Sequence, residues 1–281
     1  MDWLTAPFEL EFQQQALVAG SLAAIALALV GTWVVIRGMT FLGDALVHGV
    51  IPGIALAVLA DFNLLLGAAI AAAVMIGGIG LVHRQTTFSE DTGIGLLFVG
   101  MLALGVILIS KTDSYRGSLT DILFGDVLGV SGGDIAFLAL VTGATLIAVI
   151  GLHRAFLVLS FNEQKAQLLG LQPRFAHMVM LALIALTIIG SYRTVGTLLV
   201  FGLMVGPPAT AALLVNRVPP MMATAALIGV LSVVAGLLVS YHADTAGSAT
   251  IAGIPIALFF AVLTIKSMRM RRSAAPALGG S

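Results

Sequence analysis

The sequence predicts an all-α polytopic membrane protein with about eight or nine transmembrane helices, and three observations carry that expectation. Of its 281 residues, 59% are hydrophobic and only 9% are charged, against about 25% charged in an ordinary soluble domain. The mean hydropathy is +1.11. Uncharged stretches recur along the whole chain, and about 20 apolar residues suffice to cross a hydrocarbon core roughly 30 Å thick.

Each element follows from one such stretch and the polar residues that bound it. The first span, 14–36, ends at Arg37, and the second, 43–60, is short and contains Pro52. A third covers 63–82 and stops at "HRQTTFSED" (83–91). The fourth, 92–110, runs into the polar connection "SKTDSYRGSLTDILFGDVLGVSGGD" (110–134), and the fifth occupies 133–152. Beyond "HRAFLVLSFNEQKAQLLGLQPR" (153–174) lie 174–192 and 194–215, parted at Arg193. The eighth span, 219–240, opens after "NRVPP" (216–220), and "YHADTAGSA" (241–249) leads to the ninth at 248–265. Gly206-Pro207-Pro208 should disturb the seventh helix, because proline lacks a backbone donor and clashes with the preceding turn. The 241–250 region is expected to be partly unwound. Residues 1–13 then form an extracytoplasmic N-terminus, 14–268 one transmembrane domain, and 269–281 a cytoplasmic tail expected to be disordered.

Charge excludes some functions and orients the chain. A formal net charge of zero leaves no broad basic face for nucleic acid. With no cysteine, neither a disulfide nor a thiolate metal site can exist. The acidic start "MDWLTAPFELEFQQQ" lacks the basic stretch of a signal peptide, so the spans themselves drive insertion into lipid. If loops alternate, Arg37, Arg84, Arg154, Lys165, Arg174, Arg217, Lys266, Arg269, Arg271 and Arg272 share one side. Only Lys111, Arg116 and Arg193 of the 13 basic residues fall on the other. The basic side is cytoplasmic, which puts the N-terminus outside and the C-terminus inside a bacterial plasma membrane. Asp113, Asp121 and Asp126 then face outward, where they favour arriving cations.

Two ionisable residues break the apolar pattern. Asp44 and His48, in "GDALVHG" (43–49), share one helix face one turn apart. A carboxylate inside a bilayer is costly unless it faces a polar interior, so the pair is a functional candidate. Imidazole nitrogen with carboxylate oxygen suits zinc, manganese or iron(II) more than magnesium or copper(I). A structural pin between helices and a proton relay are the competing readings. His242 and Asp244 form a second candidate pair at i and i+2, which converge only on non-helical backbone; a solvated outer turn is the alternative. The topology places Asp44 near the inner end of its span and His242 near the outer end of another. They form one site only if 37–47 enters the membrane before its helix begins; otherwise they are two stations on one path. His83 and His153 read as interfacial anchors, and His177 as a weaker candidate.

The inner connection holds "FNEQKAQLLGLQP" (161–173), where Asn162 can cap a short helix with an apolar patch at Leu168, Leu169 and Leu171. It suits either the membrane surface or a groove on a partner protein. Nothing matches the phosphate-binding pattern G-x-x-x-x-G-K-[ST]. Any ATP-driven step therefore uses a nucleotide site on another chain.

"RGMTFLGDALVHGVIPGIAL" (37–56), "LFGDVLGVSGGD" (123–134), "FNEQKAQLLGL" (161–171), "TVGTLLVFGLMVGPPATAALL" (194–214) and "YHADTAGSATI" (241–251) resemble, in order, the signature stretches of the ABC-type zinc/manganese permease family. The likeness runs from about residue 12 to 268. It implies an ABC importer permease fold, a homodimer on two cytoplasmic ATPase subunits, and delivery by an extracytoplasmic metal-binding protein. It implies zinc or manganese as substrate, with iron as a further option, no permanently bound cofactor and no enzymatic activity in this chain. It further implies that 161–171 is a coupling helix, with Glu163, Ala166, Leu169 and Gly170 against the ATPase. Asp44, His48, His242 and Asp244 would belong to the metal pathway. A proton-coupled secondary carrier, or an ABC permease for a chelated metal or cobalamin, are the rival readings.

Overall fold

The computed structural model describes residues 6–86, 90–111, 125, 129–161 and 172–274. Among the described residues every regular element is helical. A short 3-10 turn, Ala6–Glu9, precedes α1 (Glu11–Ile36), α2 (Thr40–Gly49), α3 (Ile51–Leu59), α4 (Leu64–Gln85) and α5 (Glu90–Ile109). Then come α6 (Gly132–Gly151), α7 (His153–Phe161), α8 (Pro173–Leu214), α9 (Val218–Ala243) and α10 (Gly247–Ala274). Nine segments among the described residues are long and apolar enough to cross a membrane, with α2 and α3 sharing one and α8 supplying two.

α1 is the axis of the bundle. It packs against α6, α8 and α9, and Ala16, Ala19, Ala23, Ala24 and Leu27 are wholly buried. Lipid tails are as apolar as leucine, so helices associate here by close packing, which small side chains permit. Outward faces carry Leu66 and Val74 on α4, Leu96 and Val99 on α5, and Leu140 and Ile147 on α6, all exposed. Those faces match acyl chains. Two helix starts are capped by polar side chains, and at one of them Asn63 Oδ1 accepts from the Leu65 and Leu66 amides of α4. Ser131 and Asp134 form a capping box on α6, which satisfies two otherwise orphaned donors.

α8 departs from expectation in an instructive way. Pro207 and Pro208 lie within continuous helix, and the non-helical residue is Gly196, at φ 73° and ψ 165°. That combination is essentially confined to glycine, and it divides α8 into its two spans. The expected disturbance at Gly206-Pro207-Pro208 does not occur. Pro208 deprives the Met204 carbonyl of its helical donor, but that oxygen abuts the Cα of Gly31 on α1. The missing side chain of Gly31 lets α1 pack directly over that oxygen. At the other end, the segment beyond α9 unwinds only from Asp244 to Ala246 before α10 begins.

The second span starts three residues earlier than its apolar pattern suggested, at Thr40, and is broken in the middle. α2 ends and α3 begins around Val50. Pro52 lacks the N–H that would bond the His48 carbonyl in an unbroken helix.

Candidate metal path

Asp44 and His48 lie on α2, the first half of this broken span. The helix is anchored on both flanks by glycines in tight contact with methionines. A β-carbon on Gly43 would meet the Met204 methyl at 2.5 Å, and one on Gly49 would meet the Met75 sulfur at 2.1 Å. Met75 and Met204 are fully buried, so the α2 backbone is seated against α4 and α8 while its polar face stays open.

The side chains of His48 and Asp44 remain 25% and 30% exposed, with Nε2 and Oδ1 3.6 Å apart. That distance exceeds the ~2.7–3.2 Å of a good hydrogen bond, so the carboxylate does not tightly pin the imidazole. It is close to the separation two ligands present when each lies about 2.1 Å from one ion. For angles between about 90° and 110°, such ligands sit roughly 3.0–3.5 Å apart. The two side chains are thus partly exposed and loosely paired on one helix face, at a spacing slightly above that of two ligands on one ion.

The other predicted pair is elsewhere. His242 occupies the last turn of α9, packed edge-on to Tyr241 at 5.2 Å between ring centroids. Asp244 is the cap that ends α9, in left-handed conformation at φ 48° and ψ 42°. Both are exposed. Asp44 is near the start of its span and His242 near the end of a span that crosses in the same direction. No group of three or more His, Asp or Glu residues converges among the described residues, so the structure does not join the two pairs into one site. Glu163, Ala166, Leu169 and Gly170 lie outside the described residues, as do Asp113, Asp121 and Asp126. His153 is half-buried, with its ring 5.6 Å from the buried Trp33. His177 is half-buried near the start of α8.

Other features of this region were not legible in the sequence. Phe98 on α5 faces His48, and Phe41 on α2 faces Phe98. Gly125 is seated against the break in α8: a β-carbon there would lie 2.3 Å from the Gly196 nitrogen. The repeated glycine either side of "DALVH" was the available signal for close packing of α2, but nothing in it named the partners. Two cavities, about 360 and 230 Å³, sit where α4 begins and α8 breaks; Leu65 lines both, and none of the four predicted ligands lines either.

A bundle of this architecture, with ionisable groups on an interrupted span, defines a polytopic α-helical membrane transport subunit. Comparison with known proteins makes the class specific: the chain belongs to the ABC 3 transport family, whose model matches residues 9–266. It is thus the membrane component of an ATP-binding-cassette transporter and not an enzyme. It is 35% identical to the manganese transport system membrane protein MntC of Halalkalibacterium halodurans, over 88% of this chain and 85% of that one. It is 33% identical to the chelated iron transport system membrane protein YfeD of Yersinia pestis, over 92% and 87%. Among solved structures, PsaBC from Streptococcus pneumoniae, in complex with a Fab, superposes with a TM-score of 0.84 at 28% identity, covering 93% of this chain and 94% of that one.

Proposed function

We propose that this chain imports divalent transition-metal ions, manganese or iron(II) foremost, and that Asp44 and His48 are ligands on its path. The carrying observation is their geometry: donor atoms 3.6 Å apart, each side chain partly exposed, on a helix whose backbone is held from behind. The relatives named for manganese and chelated iron transport support that cargo. The same donor set also accepts zinc. A path must bind well enough to strip water and weakly enough to release, so a two-ligand station is more fitting than a closed cage.

His242 and Asp244 form a second station near the other face of the membrane. A homodimer, with a second copy presenting its own Asp44 and His48, would complete the coordination that one chain leaves open. The segment 161–171 docks on the ATPase, and an extracytoplasmic binding protein delivers the ion to the face bearing Asp113, Asp121 and Asp126.

The test is metal uptake by vesicles containing the permease with its ATPase subunits. Manganese, iron and zinc are compared, free and chelated. Asp44→Asn preserves size and removes charge, and should abolish uptake while leaving ATP hydrolysis and assembly intact. Wild-type uptake by that variant would make the pair a structural pin.

A further inference from the structure

Phe98 sits on α5, fifty residues from His48 in sequence and against it in space. Its ring centroid is 6.0 Å from that of His48, with the planes at 59°. Phe41 meets the same phenyl ring edge-on, at 6.1 Å and 70°. Phe41, Asp44 and His48 fall at i, i+3 and i+7 on α2, so all three share one helix face. The imidazole therefore lies between Asp44 on its own helix and Phe98 on the next. Gly95, one turn before Phe98, faces the Phe41 ring, which a β-carbon there would touch at an ordinary contact distance of 3.8 Å. Phe98 is itself half-buried and packs on the main core, so its ring has a firm backing.

We propose that Phe98 is a positioning residue for the metal path: its ring fixes the His48 imidazole and keeps that side of the station dry. The proposal rests on the reading of Asp44 and His48 as metal ligands. Imidazole alone can rotate about two side-chain torsions, and Asp44 at 3.6 Å does not restrain it firmly. A tilted aromatic neighbour removes that freedom at little further entropic cost, because aromatic pairs prefer offset or edge-to-face geometry. The phenyl ring offers no donor or acceptor, so an ion at His48 cannot keep a hydrated side against it. Magnesium dehydrates reluctantly and demands regular oxygen coordination. A dry wall beside a nitrogen ligand thus disfavours magnesium relative to manganese or iron.

The experiment measures manganese uptake by the assembled permease–ATPase complex in vesicles, with and without excess magnesium. Outer-shell partners of metal ligands are typically worth 10–100-fold in affinity. Phe98→Ala should raise the apparent KM for manganese by roughly tenfold or more, leave Vmax nearly unchanged, and make uptake sensitive to magnesium. Phe98→Tyr keeps the ring and should retain the wild-type KM and selectivity. Phe98→Leu keeps apolar bulk without the ring, and should behave like Phe98→Ala; it decides the matter if the alanine variant fails to assemble. A wild-type KM and wild-type selectivity in Phe98→Leu overturn the proposal. Asp44→Asn in the same vesicles separates the two ideas. Loss of uptake there with an unaltered Phe98→Leu refutes only the role of Phe98, whereas wild-type uptake by Asp44→Asn refutes the metal-path reading itself.

Discussion

The carbonyl of Met204 lies against the Cα of Gly31, so close that a β-carbon on Gly31 would be 1.9 Å from the oxygen and 2.8 Å from its carbon. This contact joins α1 to α8 at the point where Pro208 leaves a helical acceptor without its donor. The obstacle to a side chain there is backbone, which cannot swing aside. Gly31→Ala should therefore force α1 and α8 apart and destabilise the bundle by about 1–3 kcal/mol or more. Thermal unfolding of the purified protein in detergent checks this; an unchanged midpoint would mean the two helices are free to separate.

Gly196 is held at φ 73° and ψ 165°, a region that costs other residues of order 1–3 kcal/mol. Gly125, itself at φ 63°, packs onto its backbone. Gly196→Ala should lower the yield of folded protein and reduce thermal stability by that amount. Gly125→Ala should do likewise, since its added carbon meets backbone atoms of Val195 and Gly196. The measurement is the same unfolding experiment, and the double variant should cost less than the two single costs added, because both disturb one contact.

Most of the fold was legible because lipid leaves few choices: a crossing needs an uncharged run of sufficient length with its backbone bonded internally. That is why the sixth and seventh spans could be parted at Arg193, within a few residues of the true break at Gly196. The prolines were misread because local chemistry gives the cost of Pro208 but not the packing of α1, through Gly31, over the freed carbonyl. The candidate pair was visible because Asp44 and His48 are anomalous in their own segment. Phe98 was invisible for the opposite reason: a phenylalanine in an apolar span carries no signal until the fold sets it beside His48. Sequence left open whether the two His/Asp pairs meet; the absence of a larger cluster among the described residues keeps them apart.

Coupling should run through 161–171. α7 ends at Phe161 and leads directly into this segment, with Phe156 buried against Trp33 at 5.6 Å. Charged replacements at Leu169 and Gly170 should cut metal uptake at least tenfold, roughly the effect of losing 1.4 kcal/mol at the contact, while ATP hydrolysis by the ATPase persists. Transport coupled as in wild type would leave the segment as a membrane-surface helix.

Orientation follows from the basic bias. If each of the nine candidate spans among the described residues crosses once, the two ends of the bundle lie on opposite faces, and the basic residues Lys266, Arg269, Arg271 and Arg272 predict a cytoplasmic C-terminus. Lys266 also donates to the Leu213 carbonyl at 2.7 Å, closing the end of α8 on that face. A reporter fused after Arg272 should be active only in the cytoplasm, and one inserted within 112–120 only outside. The reversed pattern would overturn the assignment of Asp113, Asp121 and Asp126 to the receiving face.

The metal path makes the sharpest demand on individual histidines. His48 offers a nitrogen one turn from Asp44, on a face that is partly open; His177 sits near the start of α8, with no place in either His/Asp pair. His48→Ala should lower uptake by roughly tenfold or more, since even an outer-shell partner of a metal ligand is worth about 10–100-fold. His177→Ala, at a residue in neither His/Asp pair, should change uptake far less than His48→Ala does. His242→Ala tests the second station. If the two pairs act in sequence, it should impair capture from the extracytoplasmic side, raising the KM for manganese while leaving Vmax close to wild type. His48→Ala should raise the KM as Phe98→Ala does, and should also depress Vmax, because it removes the ligand itself and an ion already captured must still pass that point. Equal effects of His48→Ala and His177→Ala on uptake by folded complexes would remove the basis for assigning the path to α2.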